Sequence, residues 1–150
     1  MVIGAAQLHQ CCASERWVEL VEAGAPYDSA HELEEASERA FAALTAEDWR
    51  QAFAAHARIG EPHPGDATGV AEQSGVAGAT PDTLAALKTA NAAYEARFGH
   101  VFLIRAAGLS AEQMLAALSR RVGNPPEVEL RNAADQQRQI TRLRIRELMG

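Results

Sequence analysis

The chain has 150 residues, 47% of them hydrophobic and 23% charged, and a formal net charge of −6. That length supports one domain with a substantial core and is short for two ordinary ones. The acidic balance argues against a general nucleic-acid or anionic-membrane binder, because both partners are met by positive surface.

Alanine, leucine and glutamate dominate, aromatics are only 5%, and no stretch sustains an alternation of β-branched residues. An all-α fold follows, read as a single-domain helical bundle over residues 1–150 with about seven to nine helices. Cys11 and Cys12 are adjacent, a spacing that suits neither a disulfide nor a two-thiolate metal clamp, so they read as small buried groups in a reducing compartment. No charged leader with an apolar core opens the chain and no segment reaches the length of a membrane span, which makes a soluble, cytoplasmic protein the default expectation.

Residues 5–24 read as one or two short helices. Leu8, Cys11 and Cys12 form a first apolar patch; Ser14 then caps a turn in which Trp17, Leu20 and Val21 share a face. Asp28 or Ser29 caps a longer helix with Leu33, Ala36, Ala40, Phe41 and Leu44 on one stripe and solvated glutamates on the other. Thr45 caps the next, where Trp49, Ala52, Phe53 and His56 recur at helical spacing. Gly60, Pro62, Pro64 and Gly65 forbid regular structure, and a short helical turn around Val70 to Ser74 presents Glu72 and Gln73. Thr80-Pro81 starts a helix marked by Leu84, Leu87, Ala90 or Asn91, Tyr94 and Phe98. The apolar run Phe98 to Ile104 is either extended or a buried helix. Ser110 caps a helix through Met114, Leu115 and Leu118, and a long last helix from Pro126 turns Leu130, Ala133, Gln137, Ile140, Arg144 and Leu148 inward. Arg138, Arg142, Arg144 and Arg146 are a local collection of cations, read by default as a solvated face.

Chemistry-bearing residues concentrate in His56-Ala-Arg-Ile-Gly-Glu-Pro-His-Pro64 and in the Glu72-Gln73 pair, where the backbone leaves the helix at fixed points. His56, Glu61 and His63 lack the helical i, i+4 spacing of a metal site, so no metal is expected. No nucleophile elbow, phosphate loop or dinucleotide fingerprint is present. Acid–base chemistry remains, with a histidine at a helix end, a carboxylate in a glycine-flanked turn and an arginine able to grip a carboxylate.

His56-Ala-Arg-Ile-Gly60, Glu72-Gln73-Ser74-Gly75, Tyr94, Phe98-Gly-His-Val-Phe-Leu-Ile104 and Ile140-Thr-Arg-Leu-Arg-Ile145 occur together in an order and rough spacing that resemble the 2-oxo-4-hydroxy-4-carboxy-5-ureidoimidazoline (OHCU) decarboxylase family. The resemblance extends into Cys11-Cys12-Ala-Ser14 and Trp17. It implies an all-helical, cofactor-free, homodimeric carboxy-lyase of purine catabolism that turns OHCU into (S)-allantoin. His56 would be the general acid and Glu72 the second catalytic position. Substrate would meet Ala57, Gly69, Gln73, the segment Phe102, Leu103, Ile104, Arg105 and Ala106, and Arg144, which would hold its oxygen atoms. Two positions depart from the family pattern: Ala57 stands where proline is usual, and Gly69 where many members carry serine. The partner implied is a small-molecule substrate, with no nucleic acid and no membrane. The rival readings are an acidic helical module whose His56 to Pro64 loop docks on a protein without catalysis, and a related decarboxylase for another ureido acid.

Overall fold

The computed structural model describes residues 3–63 and 65–150; Pro64, expected to break regular structure, lies outside them. The protein is all-α, and among the described residues there is no strand. Among the described residues the helices are α1 (Ala5–Cys11), α2 (Glu15–Glu22), α3 (Ala30–Ala42), α4 (Ala46–Phe53), α5 (Ala67–Glu72), α6 (Pro81–Phe98), α7 (Ala111–Arg121) and α8 (Pro126–Met149), with a 3-10 turn at Ser74–Val76.

Helix starts follow the local chemistry. The hydroxyls of Ser14, Ser29, Thr45, Thr80 and Ser110 each accept from a backbone N–H in the first turn of α2, α3, α4, α6 and α7, satisfying a donor that has no partner within the helix. Thr45 and Ser110 complete reciprocal boxes with Asp48 and Gln113. Gly99, at φ 78°, takes the left-handed conformation that closes α6.

The contacts divide the chain into two compact units. The first comprises the chain up to Ala55 and Ala134–Gly150. Leu8, Trp17, Val21, Leu33, Phe41, Leu44 and Ile145 fill its core, and the Trp17 indole N–H donates to the buried Ser37 hydroxyl at 3.1 Å. Cys11 and Cys12 are both buried and free, and burial pushes each thiol up to about 11, so neither is poised to react. On α2 it is Val18 that joins Trp17 and Val21 in the core, while Leu20 stays exposed; an eight-residue helix has only a narrow inner stripe.

The inner line of α8 also differs from the expectation. Ala133, Gln137 and Ile140 are buried as read, but their companions are Glu129, Thr141 and Ile145, whereas Leu130, Arg144 and Leu148 are only partly buried. Polar residues can occupy this line because they are satisfied: Gln137 donates to the Thr141 hydroxyl, which donates to the Cys11 carbonyl. The basic run is not a free cationic face. Arg138 and Arg142 both reach Glu38, and Arg146 reaches Glu34, so those glutamates of α3 are ion-pair partners instead of merely solvated residues.

The second unit is His56–Ala133. α6 and α7 pack together around Leu87, Tyr94, Met114 and Leu118, joined by Ile59 and Phe102. The run from 101 to 106 is neither helix nor strand, although Phe102, Leu103 and Ala106 are buried. Among the described residues no helix is long and apolar enough to cross a membrane.

Candidate functional site

His56 opens the second unit, half-buried in a bend just past the end of α4. The backbone after it leaves helical structure, so its N–H and C=O groups need partners other than an i, i+4 ladder. Side chains supply them. The Gln73 carboxamide spans the loop, its Oε1 accepting from the Gly60 N–H at 3.0 Å and its Nε2 donating to the Arg58 carbonyl at 3.3 Å. The buried amide of Asn91 on α6 donates to the Ile59 carbonyl at 2.8 Å. Arg58 forms a two-pronged pair with Glu95 at 2.8 and 3.0 Å, and the Ile59 side chain is buried. Gly60 has φ 92°, a conformation that other residues enter only with strain.

Glu72 ends α5 and Gln73 is its C-cap, leading directly into the 3-10 turn. The bonds of Gln73 therefore tie the His56 loop to the turn that carries Glu72. Gly75 fixes this turn against the next segment: a Cβ at that position would lie 1.9 Å from the Leu109 carbonyl oxygen, so only glycine admits the approach. Leu109 in turn donates its N–H to the Ala106 carbonyl. Thus the structure brings the His56 loop, the Glu72-Gln73 turn and the Phe102 to Ala106 segment into one connected framework. Gly69 sits in the first turn of α5, its N–H donating to the capping Asp66 carboxylate at 3.1 Å; a Cβ there would meet the other Asp66 oxygen at 2.6 Å. A serine at this position requires that carboxylate to move. Arg144 belongs to the first unit, where its guanidinium donates to the Gln10 carbonyl at 3.2 Å. Among the described residues, no three His, Cys, Asp or Glu side chains are grouped as metal ligands.

Behind the Phe102 to Ala106 segment lies a buried polar cluster that spacing does not reveal. Glu129 is fully buried and paired with Arg121, whose Nη2 and Nε lie 2.6 and 3.0 Å from Oε2. The Tyr94 hydroxyl donates to the same oxygen, and Asn124 donates to Oε1 at 3.2 Å. Burial alone would raise the Glu129 pKa, but the hydrogen bonds from Arg121 and Tyr94, with the Arg121 charge, bring it below the ordinary glutamate range. Burial first, and then the neighbouring carboxylate, push the Tyr94 phenol up, so it stays protonated and donates. In the sequence Glu129 looks like an ordinary acidic residue in a first helical turn; its one signal is the i, i+4 line it shares with Ala133 and Gln137.

Comparison with known proteins bears on what this framework is for. The family model for OHCU decarboxylase matches residues 4–146. The chain is 34% identical, over its whole length, to the uric acid degradation bifunctional protein TTL of Arabidopsis thaliana, of which it spans about half (48%). It is 31% identical to the 2-oxo-4-hydroxy-4-carboxy-5-ureidoimidazoline decarboxylase of Haloferax volcanii, covering 87% of this chain and 80% of that protein. A crystal structure of OHCU decarboxylase in the presence of (S)-allantoin superposes with a TM-score of 0.87 at 32% identity, over 97% of this chain and 99% of that one. An (S)-allantoin synthase shares the fold, with a TM-score of 0.73 at 21% identity over 95% of this chain and 48% of that one. Fold and comparisons together define an all-α family of carbon–carbon lyases. The chain belongs to the OHCU decarboxylase family, which acts in urate degradation.

Two outcomes follow from this geometry. Gly75→Ala should destabilise the protein by about 1–3 kcal/mol, the cost of overpacking, while Gly78→Ala, where an added Cβ meets nothing within 4 Å, should stay within about 0.5 kcal/mol of the parent. Equal effects in urea denaturation would contradict the close approach to Leu109. For Glu129 the folded pKa lies below the unfolded one, so its contribution is complete above the ordinary glutamate range and is lost as pH falls through the folded value. Glu129→Gln should therefore be less stable than the parent at neutral pH, by about 3 kcal/mol, with the gap closing as pH is lowered; a gap independent of pH would contradict the assignment.

Proposed function

We propose that this chain converts OHCU to (S)-allantoin without a cofactor, His56 donating the proton and Glu72 and Gln73 orienting the substrate. The observation that supports this reading best is the Gln73 bridge, which ties the backbone following His56 to the turn bearing Glu72. An imidazole has an ordinary pKa near neutrality and suits proton delivery at working pH. The presence of (S)-allantoin in the crystals of a similar decarboxylase favours OHCU over another ureido acid as substrate.

The substrate carries its own electron sink. The carbon–carbon bond to the carboxylate breaks, carbon dioxide leaves, and the electron pair enters the adjacent ring C=N system to give an enol-like intermediate. A proton from His56 to the ureido-bearing carbon completes allantoin, the hydroxyl proton passing to the ring nitrogen that took up the electron pair as the ring carbonyl forms. Delivery from one face sets the handedness. The backbone and side chains of Phe102 to Ala106, with Ala57 and Gly69, line the site in this reading, and Arg144 holds substrate oxygen atoms through its forked donors. The whole chain is taken as one OHCU decarboxylase domain that works as a cytoplasmic homodimer.

Positioned general acid–base groups contribute about 10²- to 10⁴-fold to rate. His56→Ala should therefore lose turnover of enzymatically generated OHCU by at least about a hundredfold while retaining its helical circular dichroism spectrum. Turnover within a few-fold of the parent would remove His56 from the mechanism.

A further inference from the structure

Phe102 to Ala106 are the only proposed lining residues that form a continuous stretch of irregular backbone, and no helix or strand ladder fixes their carbonyls. Arg121 on α7 holds this stretch in two ways at once. Its Nη1 donates to the Leu103 carbonyl at 2.6 Å, and the face of the guanidinium lies over the Phe102 ring, with its carbon 4.5 Å from the ring centroid. Its Nε and Nη2 donate to Glu129, which has no exposed side-chain surface. Tyr94 completes the arrangement from α6: its hydroxyl donates to Glu129, and its ring meets Phe102 edge-on at 5.3 Å and His100 at 5.6 Å.

We infer that Arg121, held by Glu129 and Tyr94, is the positioning residue that sets the backbone direction and ring orientation of the Phe102 to Ala106 segment for substrate binding. This rests on the proposed function only insofar as that segment meets substrate. A planar guanidinium is required because one group must offer an edge to a carboxylate, a further N–H to a carbonyl and a flat face to a ring; an ammonium offers none of these combinations. A buried ion pair is also a poor way to gain stability, since hydrophobic replacement often does as well. The geometry of Arg121 toward Leu103 and Phe102 accounts better for a buried ion pair at this place.

The test compares Arg121→Lys and Tyr94→Phe with the parent by hydrogen–deuterium exchange and by steady-state OHCU turnover. In Arg121→Lys, amides of 102–106 should exchange at least about tenfold faster while those in the middle of α6 and α7 keep their protection, because lysine retains charge but not the fork. KM for OHCU should rise by about tenfold or more with kcat within a few-fold, since misplaced binding groups leave the proton donor intact. Tyr94→Phe, which deletes one hydroxyl and keeps the ring, should shift both readouts the same way and less. If Arg121→Lys does not fold, Tyr94→Phe decides alone. Unchanged exchange in 102–106, or an unchanged KM in a folded variant, overturns the inference. A parent protein without OHCU turnover would refute the proposed function instead, and the exchange experiment would still decide whether Arg121 holds the segment.

Discussion

The carboxamide of Gln73 is the constraint on which the candidate site depends. A helical protein has few ready ways to hold irregular backbone, because neither a ladder nor an adjacent strand is there to satisfy it. Gln73 solves this at the loop after His56 by accepting from one peptide and donating to another two residues away. Each end of the carboxamide matches one backbone group, so a single side chain fixes both the separation and the direction of the loop. Since Gln73 follows Glu72 directly, the same two bonds register the histidine loop against the turn that carries Glu72.

The same device recurs elsewhere in the second unit. Asn91 meets the Ile59 carbonyl, and Arg121 meets the Leu103 carbonyl. In each case a polar side chain rooted in a regular helix reaches a carbonyl in a segment that has no regular structure. Helices α6 and α7 thus serve as rigid supports from which non-helical segments are held, and glycine at position 75 lets two of those segments approach backbone to backbone. The buried polar groups that result are costly if unpaired. Among the described residues every buried side-chain nitrogen and oxygen has a hydrogen-bond partner, so the cost is met within the network.

Much of the fold was legible in the sequence because helix starts are local. Ser14, Thr45, Thr80 and Ser110 were readable as caps, and Ser29 as one of two candidates with Asp28; each of the five caps. The stripe from Leu33 to Leu44 is buried throughout. What local pattern could not supply is which polar residues are inside. Apolar periodicity favours Leu130 over Glu129 as the inward residue of α8, and the opposite holds because Arg121, Tyr94 and Asn124, distant in sequence, satisfy the carboxylate. Likewise the arginine run of α8 read as a solvated face, since Glu34 and Glu38, its partners, lie about a hundred residues earlier. The motif residues His56, Glu72 and Gln73 were recognisable by family resemblance, whereas the bonds by which Gln73 joins them depend on tertiary contact.

The reaction and its stereochemistry test the proposed role of His56 and its loop most directly. With urate oxidase and the hydrolase supplying OHCU in place, circular dichroism would follow the appearance of chiral allantoin with and without the protein. Rapid accumulation of the (S) enantiomer, in excess of the spontaneous background, is the predicted result. A trace that overlays the slow, racemic decay of OHCU alone would contradict it.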